Sequence, residues 1–300
     1  MKKALLDLGS NTMRLSVYQL DEENKFNIMF SQKETVGLVN YITDNKMSSE
    51  GLDKACSVIM KFKDILSQIS IDEMNIFATA SLRNISNTTE AVEYIKEKTG
   101  ENVTVLSGQE EAELGYYGAI NDGDIESGVI LDIGGGSVEL AKVEDRKILS
   151  AKSYDIGSLN LFNAYVKGIW PKSSEEKLIK AKVKETLSFA APNETIDTVY
   201  GIGGTNRALL SIANTYFKKS SENNIITFNE FKQLKKVILK KDDISKKLIL
   251  KNCPDRIHTI IPGMFITYEI MKLFDSSQII ISKNGVREGY LCKKLMVATI

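Results

Sequence analysis

One histidine, His258, stands among 300 residues, and that scarcity removes the usual general base and commonest metal ligand from most mechanisms. No G-x-S-x-G occurs either, so a Ser–His–Asp relay built on a nucleophile elbow is excluded. Cysteine is nearly as rare. Cys56, Cys253 and Cys292 form neither an even set nor a C-x-x-C pair, which excludes a disulfide framework and suits a reduced compartment. Net charge is absent, because Lys plus Arg and Asp plus Glu both total 39. Bulk charge therefore cannot hold DNA, RNA or a membrane, and any anion site must be local. Long apolar runs are missing too. "TIIPGMFITYEIMKLF" contains Pro262, Glu269 and Lys272, and the opening "MKKALLDLGS" is broken by Asp7 and is too short for a signal peptide. The expectation is a cytoplasmic protein with no nucleic-acid and no membrane partner. No G-x-x-x-x-G-K-[ST] is present, which excludes a P-loop.

What is present is a phrase used twice. "DLGSNTMRL" at 7–15 aligns without gaps over "DIGGGSVEL" at 132–140. Each copy ends an apolar run on an aspartate, turns through glycine and small polar residues, and continues at period two. That pattern reads strand, tight turn, strand. The first copy leads into a helical stretch at 48–70, capped by Ser48 or Ser49, with Leu52, Ala55, Ile59, Phe62, Leu66 and Ile69 on one face. A strand "MNIFATAS", a helix closed by Gly100, a strand "NVTVLS" and a helix "GQEEAELGYYGAI" follow. The polar, turn-rich "NDGDIESG" reads as the linker. The second copy leads into helices near 159–167, 174–190 and 205–217, a late strand "QIIIS" and a last helix. Strands first and helices after, twice, predict an α/β protein of two duplicated domains, residues 1–122 and 123–300, with a cleft between them.

A turn of Gly and small polar residues points backbone N–H groups into one concavity, an anion nest. The adjoining Asp7 and Asp132 would repel phosphate unless a cation lies between, so Mg²⁺ is expected, with Mn²⁺ as the alternative. A single such turn reads more simply as a hairpin; two gapless copies favour phosphate. "GIGGTN" at 201–206 fails G-x-G-x-x-G at its last position. It still ends a strand and opens a helix with Thr205 as the expected cap, so its N–H groups offer a further, weaker phosphate site.

With these residues in place, the sequence resembles the exopolyphosphatase and guanosine pentaphosphate phosphatase family of the actin, sugar-kinase and heat-shock-chaperone superfamily. The matching pieces are "DLGSNTMRL", "ATASLRNISN" at 78–87, "SGQEEAELGYYG" at 107–118, "DIGGGSVEL", "GIGGTNRAL" at 201–209, "IPGMF" at 261–265 and "REG" at 287–289. The resemblance implies two ribonuclease H-like, actin-like ATPase domains, with the last helix (286–300) packing back on the first. It implies release of terminal phosphate from inorganic polyphosphate or guanosine pentaphosphate. Long family members carry a further helical region, so the chain looks like the short, two-domain form. Lys283 and Asn284 stand where the family often has Asp-Gly.

The resemblance places the general base at Glu111, with its neighbour Glu110 as a control, because adjacent helical residues point in different directions. It adds Asp132 and Arg83 as catalytic residues, Arg83 offering a guanidinium fork to phosphoryl oxygens. Phosphate would be cradled by Gly9, Ser10 and Asn11, by Gly134, Gly135, Gly136 and Ser137, and by Gly203, Gly204 and Thr205. Metal would be held by Asp7, Asp132 and Glu111. Strand alternation carries Arg14 away, Arg287 and Glu288 pair structurally, and His258, the Tyr116–Tyr117 pair and Trp170 read as structural. Lysine-dense "KQLKKVILKK" and "KKLILKN" read by default as solvated helix faces, with a polyanion path as the sharper alternative. Two other functions stay open: an ATP-binding kinase or ATPase of the same superfamily, and a non-catalytic sensor of polyphosphate or guanosine alarmones. A homodimer is also left open.

Overall fold

The structure, a computed structural model, describes residues 1–23, 25–71, 73–188, 190 and 195–296. The chain divides into two compact units, Met1–Ser107 with the terminal stretch from Lys294, and Gly108–Lys293.

The first unit runs β1 (Lys2–Leu8), β2 (Thr12–Leu20), β3 (Phe26–Thr35), β4 (Ile42–Thr43), β5 (Lys46–Met47), α1 (Ser49–Gln68), β6 (Met74–Ala78), α2 (Ala80–Arg83), α3 (Thr88–Thr99) and β7 (Val103–Val105). Its main sheet has the order β3-β2-β1-β6-β7. The first three strands form an antiparallel meander; β6 and β7 add in parallel. Strand β1 is central, which explains why its residues 4–8 are apolar on both faces except at Asp7. Ala4, Leu6 and Leu8 join the main core, where α1 lays down Leu52, Ala55, Ile59, Phe62 and Leu66. Each of these large side chains contributes about 1.5–3 kcal/mol on burial. Helix α1 begins at Ser48, whose hydroxyl accepts from the Gly51 N–H, and α3 ends on Gly100 in the left-handed conformation, as its sequence predicts.

The second unit runs α4 (Gly108–Ala119), β8 (Gly128–Ile133), β9 (Val138–Glu144), β10 (Lys147–Tyr154), α5 (Ser158–Tyr165), α6 (Ser173–Leu187), β11 (Thr198–Ile202), α7 (Gly203–Phe217), β12 (Ile225–Thr227), α8 (Phe228–Ile238), α9 (Asp243–Asn252), α10 (Ile260–Leu273), β13 (Gln278–Ile281) and α11 (Val286–Tyr290). Its sheet order is β10-β9-β8-β11-β13-β12. The same meander of three antiparallel strands is followed by two parallel ones, and β12 is added at the edge. Two sheets with one topology are the structural counterpart of the repeated phrase.

The expected boundary after residue 122 and the observed division at Gly108 differ, and packing explains why. Helix α4 belongs to the second unit, where it lies on β8, β9, β10 and α11. Its backbone meets α11 without intervening side chains: a Cβ on Gly118 would lie 1.9 Å from the Gly285 carbonyl oxygen, and one on Gly289 equally close to that of Leu114. "NDGDIESG" is thus a loop inside this unit. Asp122 there accepts from the Asn284 N–H and side-chain amide, each at 2.8 Å, and from the Ser282 hydroxyl. The Lys283–Asn284 departure is therefore built into a turn. Of the last helix expected over 286–300, Val286–Tyr290 packs on α4, a π-type turn continues to Met296, and residues 297–300 lie outside the described residues.

Candidate functional site

The glycine turn of the second unit is pinned by its carbonyls. The Gly134 N–H closes the hairpin onto the Ser137 carbonyl at 2.9 Å. Helix α5 then takes the turn's own carbonyls: Gly134 O accepts from the Ser158 N–H, Gly135 O from the Leu159 and Asn160 N–H groups, and Gly136 O from the Asn160 side-chain amide. The N–H groups of Gly135 and Gly136 donate to no acceptor among the described residues. The first unit repeats this arrangement. The Gly9 N–H donates to Thr12 O, Ser10 O accepts from Val39, and Asn11 O accepts from Val36 and Gly37. The Ser10 and Asn11 N–H groups likewise find no acceptor among the described residues. Donors left over when neighbouring carbonyls are bound form a concavity that suits an anion.

Below the second turn, alternation sorts the side chains. Val129, Leu131 and Ile133 of β8, with Val138 and Leu140 of β9, face the main core. Asp132 and Glu139 therefore share the other face, and they are directly opposed across the ladder. Helix α4 covers this face. A Cβ on its Gly108 would collide with the Ser153 side chain, and one on Gly115 with Ile202. Ser153 Oγ in turn donates to Glu139 Oε1 at 2.7 Å. One helical turn on from Gly108, Glu111 is buried, whereas Glu110 is half-buried. Sequence reasoning missed Glu139, although the gapless alignment carried the signal: it sets Glu139 under Arg14. In the first hairpin Asp7 faces Arg14, whose guanidinium donates to Ser31. One hairpin thus pairs opposite charges and the other pairs like charges.

Burial raises the Asp132 carboxyl above the ordinary range, against the opposing pull of Arg207, a backbone hydrogen bond from Ile133, and Arg287 and Arg256. Three arginines from α7, α11 and the turn before α10 thus converge on this carboxylate, and none was singled out in the sequence as a ligand. Arg256 lies across the start of α7: a Cβ on Gly204 would sit 2.1 Å from its Nη2. Gly203 is required twice over, by a φ of 78° and by Asp132 Oδ1, which would lie 2.2 Å from an added Cβ. Thr205 is not the helix cap. The cap position is Ile202, and Thr205 Oγ1 donates instead to Ile133 O, stitching α7 to the end of β8.

Arg83 ends α2 in the first unit, with Nη1 3.4 Å from Leu106 O and Nε 3.3 Å from Asn84 Oδ1. Arg83 and Asp7 lie in one unit, Glu111, Asp132 and Glu139 in the other. Glu288 accepts from the Gly285 N–H at 2.8 Å and caps α11. His258 is half-buried edge-on against Phe162, and burial with nearby Arg256 lowers its pKa. Tyr116 is buried with its hydroxyl on Arg146 O, and Trp170 packs on the second core.

Among the described residues no three His, Cys, Asp or Glu side chains come together as a metal cage. The opposed Asp132–Glu139 pair is an all-oxygen donor set of two. That fits Mg²⁺, which keeps several waters and takes one or two carboxylates plus substrate phosphate. Among the described residues no helix is long and apolar enough to cross a membrane.

Solved structures share this fold over nearly the whole chain. A Ppx/GppA family member from Aquifex aeolicus superposes with a TM-score of 0.81 at 21% identity, covering 100% of this chain and 99% of that one. An exopolyphosphatase from Cytophaga hutchinsonii gives 0.86 at 21% identity over 99% and 98%. These are the actin-like two-domain fold expected from the sequence. Among curated relatives, a bifunctional 3-dehydroquinate synthase/phosphatase of Fusobacterium nucleatum is 28% identical over 94% of this chain and 45% of its own length. A guanosine-5'-triphosphate,3'-diphosphate pyrophosphatase of Aliivibrio fischeri is 26% identical over 96% and 58%, and exopolyphosphatase 1 of Mycobacterium tuberculosis 25% over 98% and 88%. The chain spans about half the length of the first two. A family model matches residues 16–297, and the chain belongs to the Ppx/GppA phosphatase family.

Proposed function

We propose that the chain is a phosphohydrolase that removes terminal phosphate from inorganic polyphosphate or from a guanosine polyphosphate. The observation that carries this reading is the pair of hairpin turns whose carbonyls are bound and whose central N–H groups are open. Relatives named for exopolyphosphatase and for guanosine pentaphosphate hydrolysis support the same chemistry.

In this reading the Ser10–Asn11 amides and the Gly135–Gly136 amides each hold a phosphate, and Arg83 adds a fork. Gly203, Gly204 and Arg256 at the start of α7 hold a further phosphoryl group. Glu111, buried beside the sheet face that carries Asp132 and Glu139, accepts the proton of the attacking water. Asp132 and Glu139 would hold Mg²⁺; when bound, the ion supplies positive charge to phosphoryl oxygens. Phosphoanhydride cleavage needs little more than this alignment and charge.

The test is phosphate release from long polyphosphate, tripolyphosphate, guanosine pentaphosphate and ATP with and without Mg²⁺. Glu111→Gln should lower turnover at least about 100-fold, with Glu110→Gln near the parent. Normal turnover in Glu111→Gln removes the assigned base. One observation favours the nucleotide over the bare chain: a groove of about 420 Å³ beside α7, lined in part by Arg207, Ser211, Asn214, Asn223 and Lys283 at the carboxyl end of β13. A lower KM for guanosine pentaphosphate than for tripolyphosphate, abolished by Asn214→Leu, would assign the groove to the nucleoside.

A further inference from the structure

Five lysines of the second unit converge on one apolar ledge. Lys180 and Lys184 stand a turn apart on α6, Lys232 and Lys235 on α8, and Lys272 near the end of α10. The ledge is aromatic. Phe228 and Tyr268 stack with centroids 5.6 Å apart and planes at 25°. Lys235 Nζ lies 2.9 Å from the Tyr268 centroid, Lys232 Nζ 4.6 Å from that of Phe228, and Lys180 Nζ 4.6 Å from that of Phe265. The charges acting on Lys235 are Lys180, Lys184 and Lys272, with Glu269 as the opposing acid. Glu176 lies 3.6 Å from Lys180 but is shared with Lys241 at 2.5 Å.

Folded surfaces ordinarily intersperse charges of both signs. Here burial and like-charged neighbours push the Lys235 ammonium down to about 8. Such repulsion is relieved by a ligand that brings many negative charges at once. Lysines, unlike arginines, act as point charges without a fixed fork, so they accept phosphates in any register of a flexible chain. The ring faces carry the protein's own ammonium groups and are not open platforms for stacking bases. The chemistry is that of a polyanion without bases.

We propose that Lys180, Lys184, Lys232, Lys235 and Lys272 form an anchoring surface for inorganic polyphosphate, outside the glycine turns. It rests on the phosphohydrolase reading only in choosing polyphosphate as the anion.

The test measures binding of long-chain polyphosphate to the full chain carrying Glu111→Gln, so that no turnover is needed. Adding Lys184→Gln, Lys235→Gln and Lys272→Gln should weaken binding at least tenfold at low salt and reduce the log–log salt slope by about two. The three arginine substitutions at the same positions should keep it. With Glu111 intact, tripolyphosphate hydrolysis should be unchanged by the triple glutamine variant. Unchanged polyphosphate binding overturns the proposal, as does failure of the arginine variant. Equal, equally lysine-dependent binding of single-stranded RNA overturns the assignment to a base-free chain. If the triple variant fails to fold, Lys184→Gln with Lys272→Gln, both exposed, decides by a threefold or greater loss against none. Tenfold-weakened binding in a chain that hydrolyses no substrate would sink the phosphohydrolase reading and leave the surface standing.

Discussion

Gly203→Ala isolates the junction between the α7 start and Asp132. Alanine at a φ of 78° costs about 1–2 kcal/mol of backbone strain. Its Cβ would also lie 2.2 Å from Asp132 Oδ1, a separation real atoms do not adopt. The carboxylate sits on a central strand hydrogen-bonded on both sides, so relief requires moving β8 or rotating the side chain, at about 1–3 kcal/mol. Together these give about 2–5 kcal/mol, or a fall of roughly 5–15 °C in the melting transition of the second unit. The control is Gly123→Ala, where an added Cβ meets nothing within 4 Å and the change stays within about 0.5 kcal/mol. Differential scanning calorimetry reads both, and phosphate release measured well below the lowered transition reads the displaced carboxylate as lost turnover. A Gly203→Ala protein that melts and turns over like the parent would refute the reasoning, because neither the strain nor the collision would exist.

Ser153→Ala removes the donor to Glu139 Oε1 and should weaken Mg²⁺ affinity about tenfold, read as a shifted Mg²⁺ dependence of turnover; an unshifted curve separates Glu139 from the metal. Lys235→Met tests the crowded lysines through pH. The folded pKa of about 8 lies below the ordinary 10.5, so the fold disfavours the charged form and stability rises as pH increases from about 8 toward 10.5. The variant should therefore melt at or above the parent at pH 7, with its advantage shrinking across that window. A gap that widens above pH 8 contradicts the sign.

How far the sequence could be read depends on whether a signal is local. Strand period, the Ser48 cap and the Gly100 stop act within a few residues, and the structure places them as read. The boundary was less legible. A turn-rich polar patch signals a loop, but which unit a helix joins is decided by packing partners distant in sequence, such as Gly289 against Leu114. Arg256 was invisible for the same reason, since its approach to Gly204 spans the whole of α7, α8 and α9. Thr205 misled because a threonine near a helix start favours capping, and here a long-range bond to Ile133 O competes for its hydroxyl.

The two hairpins then explain why one backbone motif was used twice with different side chains. Both need an aspartate beside open amides, and in both its strand partner is the residue seven positions later, Arg14 or Glu139. An aspartate opposed by arginine faces the opposite charge across the ladder. Two opposed carboxylates under α4 repel one another and gain from a shared cation. The second hairpin is therefore the one that sets two carboxylates side by side, with Arg207, Arg287 and Arg256 acting on Asp132 and Ser153 donating to Glu139. Exchanging the partners with Arg14→Glu and Glu139→Arg should leave both turns folded yet abolish Mg²⁺-dependent turnover in the second unit. If turnover and its Mg²⁺ dependence survive that exchange, the asymmetry has no part in the chemistry.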